Sequence, residues 1–367
     1  MNMFGNVSRG FHPGGDKEMA LSSFKIPSEM DSMLIIHQGA IGDLILALPV
    51  LASLRKAFPK AKCVIMGYPR ILQLVHRRFY AEEIVSIDQR GMATFFVQNG
   101  ALDLALSQFF RSFDLVVPFG KDTEGILIKN LKRVVKGQLL PIHSFPKWDE
   151  GVHVSDHLIG QLETYGIPIE DRFPRIYLNE EDRTWAEDHL KKLGLRGGAK
   201  SHLIVIHPGS GSRKKVWPLK KFLSLLQHLR LRTDSKFLIV LGPAEPADVH
   251  KSFEEMRDER VLMVKNLSLL QLASIMEGCR LFIGNDSGIS HMASALGLPT
   301  LVLFGPTDSR VWSPRGEKVL VLRREMPCSP CPEERFFFCK EPECLNGIGV
   351  EEVLMGLARL GVNLSIS

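Results

Sequence analysis

The 367-residue chain is short of several things. It has only six cysteines, too few for a disulfide scaffold at this length, and a chain this long can bury a large core without covalent staples. No stretch approaches the roughly 18–20 apolar residues that span a bilayer; the longest, Leu44 to Leu54, contains Pro49. The first 31 residues have no apolar run of the kind a secretory signal carries, so a soluble cytoplasmic protein is expected. There is no short-period repeat and no dense basic stripe, which argues against a solenoid and against a nucleic-acid partner. The net charge is +5, compatible with phosphate-bearing or membrane-surface partners while demanding neither. What is present is an ordinary globular composition, 45% apolar and 24% charged.

Residues 1–31 have no hydrophobic periodicity and read as a disordered extension outside the fold. From Met33 onward, short all-apolar runs alternate with helical segments. Met33–Ile36, Cys63–Met66, Ile84–Ile87 and Leu115–Val117 read as strands covered on both faces. The first helix is expected to run to about Phe58 despite Pro49, an interior proline that costs on the order of 3 kcal/mol and kinks the chain near Ile45. A polar stretch over about 168–200 reads as the inter-domain connection, with a helix that Gly194 caps. The rhythm then restarts at Leu203–Ile206, and strands are expected around Phe237–Leu241, Val261–Val264, Leu281–Ile283 and Thr300–Phe304. The pattern predicts two doubly wound parallel sheets, in which ligands sit beyond the carboxyl ends of the strands.

Three glycine-rich turns follow such strands. The first, His37–Asp43, lacks the G-x-G-x-x-G spacing, which disfavours a simple dinucleotide site. Its Gly39 and Gly42 admit a ligand close to the backbone. Asp43 is then either a carboxylate placed favourably at a helix start, worth about 0.3–1 kcal/mol, or a general base at the mouth of a cleft. The second, His207–Pro218, holds Gly209, Ser210, Gly211 and Ser212 followed by Arg213, Lys214 and Lys215. Small residues, hydroxyls and cations together suit a phosphate or diphosphate, against a solvated basic loop. The third, Gly284–His291, offers Asp286 or Ser287 as a helix cap and the amides of Ser287 and Gly288 as a second anion cradle. His291 lies one helical turn beyond Ser287 and either joins that ligand end or packs. Glu245, after another strand, either accepts from ribose hydroxyls or is an ordinary first-turn acid.

The strings GAIGDLILALPVLASLRKAFP, HPGSGSRKKVWPLKKF, LGPAEP and FIGNDSGISHMASALGLPTLVLFGPTD, in this order over about residues 33–361, resemble glycosyltransferase family 9, the lipopolysaccharide heptosyltransferases. The resemblance implies an α/β protein of the GT-B fold, two Rossmann-like domains facing a central cleft. It implies an inverting transfer of heptose from ADP-L-glycero-D-manno-heptose to a lipid-linked saccharide acceptor at the inner membrane face. Carried over position by position, Asp43 is the general base, Lys215 neutralises the diphosphate, and Ser210, Ser212, Glu245, Asp286, Ser287, Gly288 and His291 bind the donor. No cofactor is required, and no D-x-D-like acidic pair stands in the cleft turns to call for a metal. The expected units are 32–178 (acceptor domain), 179–349 (nucleotide-sugar domain, with a Cys-rich insert at 326–346) and a last helical segment, 350–367, returning to the first unit. The rivals are another nucleotide-sugar GT-B enzyme, including an epimerase, and a non-catalytic nucleotide-binding protein; fold alone does not choose among them.

Cys63 and Cys279 read as small core residues. Cys328, Cys331, Cys339 and Cys344 are either a zinc-holding set or reduced thiols of a surface loop; their seven-residue gap is shorter than familiar zinc spacings. Phe336, Phe337 and Phe338 in the same insert are expected to pack. Lys129, Lys132, Arg133 and Lys136 form a basic run, either a solvated face or a contact for anionic head groups.

Overall fold

The computed structural model describes residues 30–121, 125–147, 150–195, 199–332, 336 and 338–362. The first sheet holds β1 (Ser32–His37), β2 (Lys62–Gly67), β3 (Glu83–Ser86), β4 (Leu115–Gly120), β5 (Gln138–Leu139) and β6 (Ile142–His143), in the order β3-β2-β1-β4-β5 with β6 also on β4. Its helices are α1 (Ile41–Ala57), α2 (Pro69–Leu72), α3 (Leu104–Arg111), α4 (Ile126–Val134) and α5 (Val154–Thr164). The chain crosses through α6 (Glu180–Lys192) to the second sheet. That sheet holds β7 (Leu203–His207), β8 (Lys236–Leu241), β9 (Val261–Lys265), β10 (Leu281–Asn285), β11 (Thr300–Phe304) and β12 (Val319–Arg323), in the order β12-β11-β10-β7-β8-β9. Around it lie α7 (Leu219–Arg232), α8 (Ala247–Glu254), α9 (Leu269–Met276), α10 (Gly288–Ala295), α11 (Ser309–Trp312), α12 (Glu343–Asn346) and α13 (Val350–Arg359). Every strand pair in both sheets is parallel, as the near-continuous apolar strands require.

The unusually apolar α1 explains how the two halves meet. Leu44 to Leu51 and Leu54 are buried without a polar face, and α1 packs on α5 to one side and α10 to the other. A helix apolar all round must be covered all round. It passes unbroken through Pro49, and Ser53 Oγ donates to the Pro49 carbonyl at 2.9 Å. One core cluster therefore runs from the first sheet through α1 and α10 into the second.

Two expectations change here, and one is filled in. Residues 1–29 of the anticipated extension lie outside the described residues, but Met30 is buried and the Asp31 N–H donates to Asp114 at 3.0 Å, so the fold begins before Ser32. The stretch around 168–200 carries the expected helix and is well packed. In it α6 lies against α9, Asn179 and Asp182 cap it reciprocally, and Arg78 Nη2 meets Asp182 Oδ1 at 2.6 Å with both side chains nearly buried. Gly194, at φ +80°, ends the region where a residue with a Cβ would be strained. Finally, α13 packs on α7 and β12, with Val353, Leu354 and Leu357 in the second sheet's outer core, so over its described residues it does not return to the first sheet.

Candidate functional site

The amino ends of α1 and α10 touch where the carboxyl ends of β1 and β10 face each other. A Cβ on Gly288 would stand 2.7 Å from Ile41 Cβ, and one on Gly42 would stand 3.3 Å from the His291 ring. Any larger residue at Gly288 would push the two halves apart. Two helix amino ends, each with first-turn amides that have no intrahelical acceptor, thus open on one place, an arrangement that favours an anion.

Asp43 lies in the first turn of α1, half-buried, and its Oδ2 accepts the Ala40 N–H at 2.9 Å. Gly39 is required beside it, because a Cβ there would fall 2.5 Å from Asp43 Cβ and 2.6 Å from the His37 ring. Burial raises the Asp43 carboxyl above its ordinary 3.8, while the Ala40 amide and the charges of Lys121 and Lys215 pull it down. Lys215 belongs to the second half, so the two sides of the cleft are within electrostatic reach of each other.

The Lys215 ammonium sits 2.9 Å from Asp286 Oδ2, and Thr307 donates to the same oxygen. Asp286 is nearly buried, and its backbone carbonyl accepts Ser210 Oγ at 2.7 Å. Ser212 accepts the Lys214 N–H at 3.4 Å and caps the short turn Arg213–Lys215. Ser287 caps α10, accepting the Ser290 N–H at 3.4 Å. Glu245 accepts the Gly242 N–H, and a Cβ on Gly209 would collide with its carboxylate, so this acid lies directly on the cation-bearing loop. Lys215, Asp286, Ser287, Gly288 and His291 are therefore gathered on the side of Asp43. Glu245 lies against the cation-bearing loop at Gly209, Ser210 ties that loop to the Asp286 carbonyl, and Ser212 holds the loop's own backbone.

Sequence reasoning missed Asn285. Fully buried at the end of β10, it donates to the carbonyls of Pro208 (2.8 Å) and Gly209 (3.2 Å) and accepts the Trp217 N–H at 2.9 Å. It pins both ends of the loop that carries Lys215. Asn285→Ala is expected to lower unfolding stability by about 2–4 kcal/mol, since it strands three buried backbone groups. Chemical denaturation checks this, and a loss within experimental error would contradict the role. Lys121 was also missed, though it follows a strand's carboxyl end as the other site residues do. Its ammonium lies 4.4 Å from the centre of the Phe145 ring, which in turn meets Trp312 of the second half at 5.3 Å.

His37, His153 and His291 are buried and held at about 4 by desolvation, so all three are neutral near pH 7. His153 Nδ1 accepts the Ser155 N–H at 3.1 Å, which leaves Nε2 to donate to the Ser313 carbonyl at 2.8 Å across the two halves. His291 packs on Gly42, with its Nδ1 buried and unpartnered among the described residues.

Cys63 and Cys279 lie in the core. Burial, and the neighbouring thiols of Cys331, Cys339 and Cys328, push Cys344 up to about 11. Yet among the described residues no three His, Cys, Asp or Glu side chains are arranged to hold a metal ion. Phe336 is covered by the Lys214 ammonium, 5.4 Å from its ring, and Phe337 lies outside the described residues. Phe338 is 83% exposed, so the expected packing fails there.

Comparison with known proteins points one way. The profile of glycosyltransferase family 9 (heptosyltransferase) matches residues 143–339, just over half of the chain. The lipopolysaccharide heptosyltransferase 3 of Escherichia coli K12 is 25% identical over 300 residues, 76% of this chain and 84% of that protein. The lipopolysaccharide heptosyltransferase 1 of Pseudomonas aeruginosa is 37% identical over 130 residues, 35% of this chain and 36% of that protein. A family 9 glycosyl transferase from Veillonella parvula superposes with a TM-score of 0.70 at 22% identity, over 91% of this chain and 97% of that one. An Escherichia coli heptosyltransferase solved with ADP superposes at 0.62 and 15%, over 90% and 99%.

Proposed function

The chain belongs to glycosyltransferase family 9 (heptosyltransferase), is a glycosyltransferase with the two-sheet GT-B fold, and from that premise we propose that it moves a heptose from ADP-heptose to a lipid-linked saccharide of the lipopolysaccharide core, with inversion. The observation that carries this reading is the pairing of Asp43 on the first half with Lys215 on the second, across the meeting point of two helix amino ends.

Inversion at an anomeric carbon needs a base on the incoming hydroxyl and stabilisation of the departing diphosphate. Asp43 is the base. Burial raises its carboxyl, which strengthens it as a base, while the Ala40 amide and two lysines oppose that rise. Lys215 and the amides at Ser287 and Gly288 receive the diphosphate, and in doing so Lys215 exchanges its contact with Asp286 for one with phosphate. Preorganised donors aimed at developing charge commonly supply the larger part of such catalysis. Glu245 reaches the ribose and His291 the ligand end of α10; Ser210 and Ser212 shape the loop around the phosphates. The base and the diphosphate site come from different halves, so closure on the donor assembles the site and keeps water away. No resident cofactor enters these steps.

Calorimetry of the chain against ADP, UDP and GDP, followed by a transfer assay with ADP-heptose, tests the reading. ADP is expected to bind at least tenfold more tightly than UDP or GDP, with release of ADP only when acceptor is present. Preferential binding of UDP, or turnover of a UDP-sugar without acceptor, would replace it with the epimerase reading.

A further inference from the structure

Lys215 and Asp286 meet inside the second half, and the chain on each side of that pair is held by the Cys-rich insert. On the lysine side, Lys214 is committed to the insert: its ammonium donates to the Phe336 carbonyl and lies 5.4 Å from the centre of the Phe336 ring. Beyond Lys215, the fully buried Trp217 donates its indole N–H to the Ile348 carbonyl at 3.1 Å. Lys221, in the first turn of α7, donates to the Asn346 carbonyl and, at 2.7 Å, to that of Ile348. On the aspartate side, Thr307, whose hydroxyl donates to Asp286, follows Gly305 and Pro306. The Ser329 hydroxyl donates to the Gly305 carbonyl at 2.6 Å, and the Cys331 N–H to the Pro306 carbonyl at 2.7 Å. A Cβ on Gly305 would stand 2.6 Å from Leu345 Cγ and 3.2 Å from Cys344 Sγ, so this turn lies directly on the insert.

The insert thus grips both turns whose side chains converge on Asp286. Lys214, Trp217 and Lys221 reach carbonyls of the insert and of the segment just after it, while Ser329 and Cys331 reach carbonyls of the turn before Thr307. Buried Cys331 and Cys344 are small enough to let that turn approach. Asn285 already fixes the cation loop from the β10 side, so the insert completes its support from another. Such support matters to a lysine in particular. Its ammonium is a point charge on a flexible four-carbon stem, and it meets a diphosphate reproducibly only where its backbone is fixed. Ordering a loose loop on binding lowers affinity, and a displacement of about 1 Å can lower the rate by on the order of 10²-fold.

We propose that the insert is a brace for the diphosphate site, with Lys214, Ser329 and Phe336 as positioning residues that act on the donor only through Lys215 and Asp286. The proposal deepens the reading above and rests on Lys215 receiving the diphosphate.

Two variants of the whole chain test it, Lys214→Met and Ser329→Ala with Phe336→Ala, each alone and combined with Lys215→Ala. Calorimetry with ADP, well below the melting temperature of each variant, is expected to show about fivefold weaker binding in both, the worth of about one hydrogen bond. Neither should weaken binding further once Lys215 is alanine, because the brace acts through that lysine. Lys214→Arg, which keeps a cationic donor for the Phe336 carbonyl and ring, should restore binding. Hydrogen exchange without nucleotide reads the brace directly. The Lys215 and Val216 amides, bonded to the Ser212 and Arg213 carbonyls at 3.0 and 3.3 Å, should exchange about fivefold faster in both variants, with those of α5 unchanged. Equal weakening by Lys214→Met with and without Lys215 would make Lys214 a phosphate ligand in its own right and overturn the proposal. Undiminished ADP binding in both variants would remove the brace and leave the sugar-transfer reading standing. Faster loop exchange in a chain that binds no ADP would uphold the brace and remove that reading.

Discussion

Asp43→Asn is expected to slow sugar transfer by about 10²–10⁴-fold while leaving ADP affinity within about twofold of the parent, because general-base help is worth that much and the substitution removes only the basic oxygen. Asparagine keeps an oxygen to accept the Ala40 N–H, so the turn and its contact with Gly39 survive. The pH profile separates a base from a merely structural carboxylate. Burial lifts this carboxyl above its ordinary value, so the acidic limb of kcat/KM belongs above pH 3.8 in the parent and should vanish in Asp43→Asn. The sign at Lys121 follows: its charge favours the ionised carboxylate, so Lys121→Ala should move that limb to higher pH. A variant that transfers sugar at the parent rate would mean that another group takes the proton.

Lys215→Ala carries the second large expected effect, on binding and on stability together. The lysine is a quarter exposed and Asp286 is almost fully buried, 2.9 Å away. Removing the cation leaves that carboxylate with the Thr307 hydroxyl as its remaining side-chain partner, which is expected to cost about 3 kcal/mol, the lower end for a broken buried pair. ADP affinity should fall 10–100-fold, the range of one lost charge-assisted contact to phosphate. The two effects come apart in the double variant Lys215→Met with Asp286→Asn. With both charges gone its stability should return close to the parent, whereas ADP affinity stays low. Recovery of ADP binding in the double variant would show that Lys215 serves the fold and not the diphosphate.

The fold was legible because its pattern is repetitive. Runs such as Leu203–Val205 and Phe237–Val240 are apolar on both faces, which only a covered parallel sheet satisfies, and glycines punctuate their carboxyl ends. The candidate site residues were legible as types at strand ends, and the structure brings Lys215 against Asp286 and within electrostatic reach of Asp43. The strand at Val319–Arg323 went unread, since only a four-residue helix and a loop separate it from β11. That the last helix packs on the second sheet over its described residues went unread, because an amphipathic stripe shows that a face is buried but not against what.

The order of residues by itself determined two parallel sheets, the helices between them, and the turns where acids, cations and glycines stand, because these follow from periodicity and from the conformational limits of glycine and proline. Only the tertiary structure decided which of those residues meet. The seating of Gly288 on Ile41, the ring of His291 on Gly42, Asn285 as the pin of the cation loop and Lys121 as a neighbour of Asp43 are long-range contacts. Such contacts depend on how two sheets pack around one wholly apolar helix, a matter of shape and volume that no local pattern of residues records.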